Sequence, residues 1–184
     1  GYRSNLETER AHRNCALTAE ISPRKGSDAE KIRNKVKILK DSADAFNITD
    51  NQTAVARLSS LGGSFILLNM GIEPILQISS RDRNRIALQS DVLGASSVGV
   101  KNILFITGDH QSFGNHPEAL GVFDLDSIQL IQILNNMRNG FFQNGEEIIS
   151  GKPSIFIGAV TNPFVDPADF RILRLNKKIE AGTD

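Results

Sequence analysis

The sequence of 184 residues has little of the material that several classes of protein require. It holds one cysteine, which excludes an internal disulfide framework and any cysteine-rich zinc or iron–sulfur site. Its 21 basic and 21 acidic residues leave no net charge, so nothing favours a nucleic-acid or anionic-membrane partner. No apolar run approaches the roughly 18 residues of a membrane span, and no signal peptide opens the chain. We therefore expect a cytoplasmic protein without metal, nucleic-acid or membrane partners.

What the sequence does have is enough apolar material for a core, in an alternating arrangement. Hydrophobic residues make up 40% of the chain, and no repeat or linker divides it, so residues 1–184 are predicted to form one domain. Short apolar runs of strand length alternate with longer segments of helical spacing. The predicted strands are 15–21, 43–48, 74–78, 102–106 and 154–160. The predicted helices are 29–39, 54–70, 85–95, 127–137 (with Asp126-Ser127 as its start) and 167–179.

Five strand-then-helix units imply parallel strands, because a parallel connection needs a crossover of about a dozen or more residues. An open doubly wound sheet and a partial barrel both fit this order. The doubly wound dinucleotide fold carries G-x-G-x-x-G after its first strand, whereas residues 22–26 read Ser-Pro-Arg-Lys-Gly. A complete barrel usually takes about 250 residues. We therefore predict an α/β fold, a (β/α)8 TIM barrel of which about the first five units are present, and expect the chain to be a fragment.

Polar side chains gather at the carboxyl ends of the predicted strands, where barrel enzymes place their chemistry. They lie within 47–51, 77–84 and 107–110. Helix capping is the alternative explanation for an Asp or Asn at such a junction. Glu20 differs, because it lies within the first predicted strand and caps no helix. A buried charge is costly unless it is partnered, so we predict Glu20 as a site residue, with a buried ion pair as the alternative.

Other site chemistries find less support in the sequence. Asp109, His110 and His116 could bind a metal, but no further ligand follows at a recognisable spacing. No G-x-S-x-G segment indicates a serine hydrolase. Cys15 begins a predicted strand, which favours a core residue over a nucleophile.

Glycine and arginine near these strand ends have two possible roles each. Gly108 is expected where the chain turns sharply or meets a ligand. Arg81, Arg83 and Arg85 could contact a phosphate or carboxylate, or could simply be solvated at a helix start.

Four short segments resemble, in order, the motifs of one enzyme family. Residues 18–26, Thr-Ala-Glu-Ile-Ser-Pro-Arg-Lys-Gly, resemble a first-strand E-x-x-P-P-K-G segment. Residues 48–51 fall where that family ends its second strand, and Thr-Gly-Asp at 107–109 resembles its fourth-strand R-G-D or T-G-D signature. Residues 177–182 are similar to its K-x-x-A-G-A segment. The family is that of the methylenetetrahydrofolate reductases, and the chain resembles its bacterial and archaeal branch.

The resemblance implies an FAD-binding barrel that reduces 5,10-methylenetetrahydrofolate to 5-methyltetrahydrofolate, in one-carbon metabolism and methionine biosynthesis. In that family the flavin is reduced first and then delivers hydride to the folate. Carried over, Glu20 matches the general acid that protonates N10, and we expect burial in its strand to keep it protonated. Asp109 matches a catalytic carboxylate near the flavin pyrimidine edge, which tunes the flavin and stabilises an iminium cation.

The resemblance also assigns cofactor-binding positions. Thr49 matches a hydroxyl at the flavin edge, and Gly108 and Lys178 match flavin contacts. Phe123 falls where the family often has a Tyr near the cofactor. Gln77 stands where the family commonly has a His, and it is a candidate for the pocket.

This chain departs from the family pattern at several points. Ser22-Pro23 stands for Pro-Pro, which we take as minor. Thr107 replaces an Arg, so a phosphate contact could come from Arg81 or Arg83 instead. The family's folate-binding Gln falls beyond residue 184. An open five-stranded sheet would expose its inner face, so we expect the fragment alone to be inactive.

Partners follow from the same resemblance. We expect a folate substrate, an electron donor that is NADH, NADPH or a redox partner protein, and a homo-oligomer or complex subunit. Two other functions stay open: a non-catalytic barrel subunit of a redox or methyl-transfer complex, and a flavin-free pterin-binding barrel. A Schiff-base lyase would need a Lys at a strand end, and none of the five supplies one.

Overall fold

The computed structural model describes residues 3–11, 17–108 and 110–159, and within them strands alternate with helices. The strands are β1 (Thr18–Ile21), β2 (Ala45–Ile48), β3 (Pro74–Ser79), β4 (Asn102–Ile106) and β5 (Phe156–Ala159). The helices are α1 (Asn5–Ala11), α2 (Ala29–Leu39), α3 (Ser60–Asn69), α4 (Arg85–Ser97) and α5 (Ser127–Arg138). Two short 3₁₀ turns, Gln52–Ala54 and Gln111–Phe113, follow β2 and β4.

All five strands are parallel, and their order in the sheet is their order in the chain, β1-β2-β3-β4-β5. A doubly wound sheet reverses its direction of growth at a switch point, and this sheet does not. Sequential parallel order is the arrangement of the (β/α)8 barrel. The α/β fold predicted from the sequence is therefore confirmed, with five strands of such a barrel in the part that the structure describes.

One face of the sheet is covered by helices α2 to α5 and is apolar. Alternate strand residues point to this helix-facing side, as the two-residue period of a strand requires. Around β1 and β2 the buried cluster comprises Ile21, Ile32, Val36, Phe46, Ile48 and Leu67. Around β3 to β5 it includes Leu76, Ile78, Leu88, Val92, Ile103, Phe105, Leu130, Ile131, Leu134 and Ile157. These two clusters form the core of the described residues.

The opposite side of the sheet, here called the open face, carries both apolar residues, such as Ile75, Leu104 and Ile106, and polar residues. Glu20 lies on β1, Asn47 on β2, Gln77 and Ser79 on β3, and Asn102 on β4. Asn47 Oδ1, Ser79 Oγ and Asn102 Oδ1 are buried without a hydrogen-bond partner among the described residues. In a closed barrel this face is the interior.

The helix predicted over 54–70 begins later, at Ser60, and this start is a correction. Ser59 caps α3, since its Oγ accepts a hydrogen bond from Gly62 N at 3.0 Å. The segment before it is extended or in the 3₁₀ turn, so a helix could not begin at residue 54. A Cβ on Gly63 would lie 2.8 Å from Ile48 Cγ2. The glycine that costs helix propensity therefore lets α3 approach β2 closely.

The remaining boundaries differ by a few residues or agree. Helix α2 and strand β4 have the predicted bounds, and α5 begins at Ser127 with Asp126 in a capping box. Strands β1, β2 and β5 begin two or three residues later than predicted, β3 ends one later, and α4 and α5 end later. Cys15 and the helix predicted over 167–179 lie outside the described residues. None of the described helices is long and apolar enough to span a membrane.

Candidate functional site

A polar pocket of about 160 Å³ lies at the carboxyl ends of β1 to β4. Four residues predicted from the sequence line it together: Glu20, Thr49, Gln77 and Gly108. Each comes from a different strand or follows one within two residues. The other lining residues are Asp50, Asn51, Gln52, Thr53, Arg81 and Ile106. The structure thus brings these four positions, three of them with polar side chains, to one pocket at the strand ends.

Two larger depressions lie outside the sheet. One of about 430 Å³ runs along α2, and one of about 460 Å³ lies between α4 and residues 142–146. The first reaches the end of β1 at Ile21 and Ser22 but includes no residue from the ends of β2 to β4, and the second includes no strand residue. We therefore take the smaller pocket as the candidate site, because the convergence of polar groups and not the volume is what binding chemistry requires.

The side chain of Glu20 lies exposed on the open face, which corrects the expectation that it is buried in its strand. Its neighbours Ala19 and Ile21 pack among the helices, so Glu20 points to the other side of β1. Strand β1 is the edge of the described sheet, with β2 as its neighbour there. Its hydrogen-bond partner is Gln52, whose Nε2 lies 3.3 Å from Glu20 Oε1.

Gln77 is held so that its amide nitrogen is left for the pocket. Its Oε1 accepts a hydrogen bond from Asp50 N at 3.0 Å, and its backbone oxygen accepts one from Ser60 Oγ at 2.8 Å. Its Nε2 has no partner among the described residues and is therefore available to donate to a ligand. Thr49 beside it is 3% exposed and is fixed by its backbone N–H, which donates to Ile21 O at 3.0 Å.

Gly108 adopts φ +87°, in the left-handed region that favours glycine. A Cβ at this position would lie 3.1 Å from Ser79 Cβ, and Ser79 Oγ is one of the buried oxygens without a partner. The expectation of a sharp turn at Gly108 is confirmed. A side chain here would fill the space next to an unused hydrogen-bonding group.

A buried ion pair supports the floor of the pocket. Asp50 is 1% exposed, and its Oδ2 lies 2.5 Å from Arg83 Nη1 and accepts from Ser79 N at 2.9 Å. Arg83 Nε also lies 2.9 Å from Asp91 Oδ2. Burial alone would lower the pKa of Arg83, but its hydrogen bonds and charge attraction to Asp50 and Asp91 outweigh burial and raise that pKa. Two carboxylates thus engage Arg83, which leaves it unsuited to the phosphate contact considered for it.

Arg81 and Arg85 differ from Arg83 in their surroundings. Arg81 is 3% exposed and lines the pocket, and its Nε and Nη2 donate to the two carboxylate oxygens of Asp82 at 2.8 and 2.7 Å. The hydrogen bond from Arg81 is the main reason that the pKa of Asp82 is lowered, against burial, which raises it. Arg85 pairs with Asp124 at 2.8 Å on the surface. Arg81 therefore lines the pocket while it is itself engaged by Asp82 and by Asn51 O, to which its Nη2 donates at 3.3 Å.

The turn at residues 51–54, which forms one wall of the pocket, has strained backbone. Asn51, Thr53 and Ala54 have φ values of 42°, 60° and 57°, which cost non-glycine residues roughly 1–2 kcal/mol each. The turn is held against the loop after β4, because a Cβ on Gly114 would lie 1.7 Å from Ala54 O. Strain of this kind is commonly kept where function requires a fixed geometry.

The other predicted residues lie beside the pocket or outside the described residues. Phe123 does not line the pocket; it is 40% exposed and its ring stacks on that of His110, with centroids 6.4 Å apart. Its backbone N–H donates to Ser80 O at 3.2 Å, next to Arg81. Asp109 and Lys178 lie outside the described residues. No group of three or more metal-binding side chains occurs within the described ranges.

Two residues that matter here were not singled out from the sequence. Gln52 lies 32 positions from Glu20, and Asp50 lies 33 positions from Arg83. Asp50 had one signal, a charge directly after a buried strand, but capping explained it equally well. Gln52 had no signal, because an exposed Gln in a turn is unremarkable in a sequence.

Comparison with known proteins gives one family match and several shared folds. Residues 5–184 match the family model described as Methylenetetrahydrofolate reductase. No curated protein matches the chain.

Among solved structures, the chain is similar to a 2,3-dimethylmalate lyase, a PEP mutase/isocitrate lyase superfamily member. The triclinic form has 15% identity and a TM-score of 0.59, with 98% of this chain and 61% of the lyase covered. The trigonal form has 17% identity and a TM-score of 0.56, with 98% and 60% covered. A rubisco-like protein from Burkholderia fungorum has 12% identity and a TM-score of 0.52, with 100% and 42% covered. At these identities the likeness shows the fold alone, and the chain spans less than two thirds of each structure.

Proposed function

The chain belongs to the methylenetetrahydrofolate reductase family, and from this premise we propose that its protein uses FAD to reduce 5,10-methylenetetrahydrofolate to 5-methyltetrahydrofolate. The observation that carries the proposal is the pocket at the strand ends. Glu20, Thr49, Gln77 and Gly108, which the family resemblance assigns to one site, line this one pocket although they are far apart in sequence.

The chemistry of the pocket fits part of a flavin. Gln77 lines the pocket, and its Nε2 has no partner among the described residues, so it can donate to the polar edge of a ring system. Gly108 leaves space beside Ser79 that a Cβ would fill. A volume of about 160 Å³ is below the roughly 300–1,000 Å³ of typical ligand sites, so these residues would hold an edge of the cofactor and not all of it. When bound, FAD supplies the hydride.

The roles proposed for the residues follow from their chemistry. Glu20 donates a proton to N10 of the folate, because opening the five-membered ring requires a proton on the departing nitrogen. Thr49, Gln77 and Gly108 hold the flavin edge, and Arg81 is the candidate for an anionic group of the ligand.

Three further assignments rest on the family resemblance alone. Asp109 acts as the carboxylate near the flavin, Lys178 contacts the cofactor, and Phe123 lies near it. The same proposal includes NADH, NADPH or a redox partner protein as donor, a homo-oligomer or complex, and a cytoplasmic reaction that serves methionine biosynthesis.

The first experiment asks whether the full-length protein binds flavin and whether the folate reoxidises it. We expect a yellow protein after reconstitution with FAD, and loss of the reduced-flavin spectrum when methylenetetrahydrofolate is added anaerobically. Glu20→Gln should slow reoxidation by about 10²- to 10⁴-fold without releasing the cofactor. Gly108→Ala should weaken FAD binding, whereas Gly26→Ala, with open space around it, should not.

A protein that stays colourless with excess FAD would overturn the proposal. A colourless protein that still binds the folate would instead support the flavin-free pterin-binding barrel. A yellow protein that the folate does not reoxidise would support the non-catalytic subunit.

A further inference from the structure

The side-chain amide of Gln52 links the ends of β1 and β2. Its Nε2 lies 3.3 Å from Glu20 Oε1, and Ser22 Oγ lies 2.6 Å from its Oε1. A carboxylate can only accept hydrogen bonds, so the amide must turn its nitrogen to Glu20, and its oxygen then accepts the hydroxyl proton of Ser22. The orientation of the Gln52 amide is therefore set from both ends.

The backbone of Gln52 is held as firmly as its side chain. Its carbonyl oxygen accepts from Thr53 Oγ1 at 2.6 Å and from Arg57 Nε at 3.2 Å. The neighbouring Ala54 is in backbone contact with Gly114, as described above. A residue held on both sides by strained backbone and by a second loop is suited to fix the position of another group.

We propose that Gln52 is a positioning residue for Glu20, which determines the oxygen from which the acid gives up its proton. This inference rests on the proposed function. Because Oε1 accepts a hydrogen bond from an N–H group, it cannot carry a proton directed at Gln52, so the acidic proton resides on Oε2. Glu20 Oε2 is thus the oxygen that protonates the substrate.

The proposed proton transfer requires only Glu20 and the folate substrate. The Oε2–H bond of Glu20 breaks, and the proton goes to N10 of the folate. The bond between N10 and the methylene carbon then breaks, its electron pair stays on N10, and the carbon is left as the iminium cation bonded to N5. Glu20 becomes a carboxylate, and the hydrogen bond from Gln52 stabilises that charge as it forms.

Ser22 is part of the same hydrogen-bonded arrangement as Gln52 and Glu20. Proline, which the family has at this position, carries no hydroxyl and could not orient the amide of Gln52. The replacement taken as minor from the sequence therefore has a physical consequence, because Ser22 supplies the bond that fixes Gln52.

The kinetic test compares the two half-reactions of the FAD-loaded full-length protein. Gln52→Met keeps the length of the side chain and removes its hydrogen bonds. It should slow flavin reoxidation by methylenetetrahydrofolate by about 10- to 100-fold and leave flavin reduction by dithionite unchanged. Ser22→Ala should slow reoxidation a few-fold. The matched control is Gln89→Met, because among the described residues the Gln89 amide bonds backbone groups of Arg85 and Gln143, outside the candidate site.

A double variant separates positioning from a general structural role. If Gln52 acts through Glu20, Gln52→Met should add no further loss of rate in a Glu20→Gln background. An additional tenfold loss there, or an unchanged rate in the single variant Gln52→Met, would overturn the inference.

A second readout needs neither flavin nor turnover. In protein labelled with ¹⁵N-glutamine, the side-chain amide resonances of Gln52 should move as Glu20 is titrated, and this movement should disappear in Glu20→Gln, while those of Gln89 stay constant. If the amide resonances of Gln52 do not change when Glu20 is titrated, the inference is overturned. If the unmodified protein fails to reoxidise its flavin while the Gln52 resonances follow Glu20, the proposed function fails and the contact stands.

Discussion

The two faces of the one sheet are built from neighbouring residues and differ in polarity. On the helix-facing side, Leu76, Ile78, Ile103 and Phe105 are each 1% exposed or less. On the open face, Ile75, Leu104 and Ile106 are mixed with the polar residues Glu20, Asn47, Gln77, Ser79 and Asn102. Three of these polar residues have a buried oxygen without a partner among the described residues. The polar residues of the described strands therefore all lie on one face, because each successive side chain points to the other face.

The difference has an energetic meaning. Burial of the helix-facing side chains stabilises the fold by roughly 1.5–3 kcal/mol for each large apolar residue. An unsatisfied polar group on the open face instead costs about 1–3 kcal/mol. The polar residues of the open face are therefore kept at the expense of stability.

The largest effect should come from the helix-facing side. Phe105→Ala should lower the free energy of unfolding by about 3–5 kcal/mol, because it leaves a cavity among fully buried side chains. The midpoint of denaturant unfolding checks this value. Phe113→Ala is the matched control, since Phe113 is 80% exposed, and its midpoint should hardly move. Equal losses in the two variants would contradict the division between the faces.

The next largest effect should come from the carboxyl edge of the open face. Asp50→Ala should destabilise the protein by about 3 kcal/mol, because it leaves Arg83 without its buried carboxylate. The control is Asp124→Ala, which removes the partner of Arg85 at the surface and should have little effect. If both variants unfold at the same denaturant concentration, the buried pair is not part of the structural support of the pocket.

The smallest effect should be the pH dependence at Asp82. Its folded-state pKa lies below the ordinary 3.8, so as the pH falls the unfolded chain takes up the proton first. The stabilisation is therefore complete above about pH 3.8 and is lost as the pH falls through the lower folded-state pKa. Because 40% of the Asp82 side chain is exposed, the contribution should be less than about 1 kcal/mol.

Thermal unfolding of the unmodified protein and of Asp82→Asn checks this sign. The variant should be the less stable at neutral pH, and the gap should close in acid. A gap that widens in acid would show that the sign is wrong.

Local patterns predicted the elements of the fold well and their long-range contacts poorly. The i, i+4, i+7 apolar spacing gave α2 its bounds, and the apolar run at β4 gave that strand, because both signals lie within a few residues. The turn after β2 left no signal, since nothing in Asn51 or Thr53 announces a left-handed backbone. Because of that turn and the cap at Ser59, α3 begins at Ser60 and not at the predicted residue 54.

The sequence predicted which residues line the candidate pocket better than it predicted their exposure and hydrogen bonds. Glu20, Thr49, Gln77 and Gly108 were assigned to one site from their places at strand ends and from the family resemblance, and they line one pocket. The exposure of Glu20 was not predictable, because it depends on which elements flank an edge strand and not on the strand itself. The bond from Gln52 to Glu20 joins two loops, which no periodicity reveals.

The order of the sheet also bears on how the protein can be made. Each strand pairs with the strand before it, as Thr18 with Ala45 and Ile75 with Asn102, roughly thirty residues apart or less for the first four strands. In the described sheet, each strand after β1 pairs with the strand that precedes it in the chain, so its first partner has already been synthesised. The sheet can therefore grow one strand at a time as the chain leaves the ribosome. Each new strand pairs with the exposed edge of the strand before it, and that edge is then no longer open to pairing with other chains.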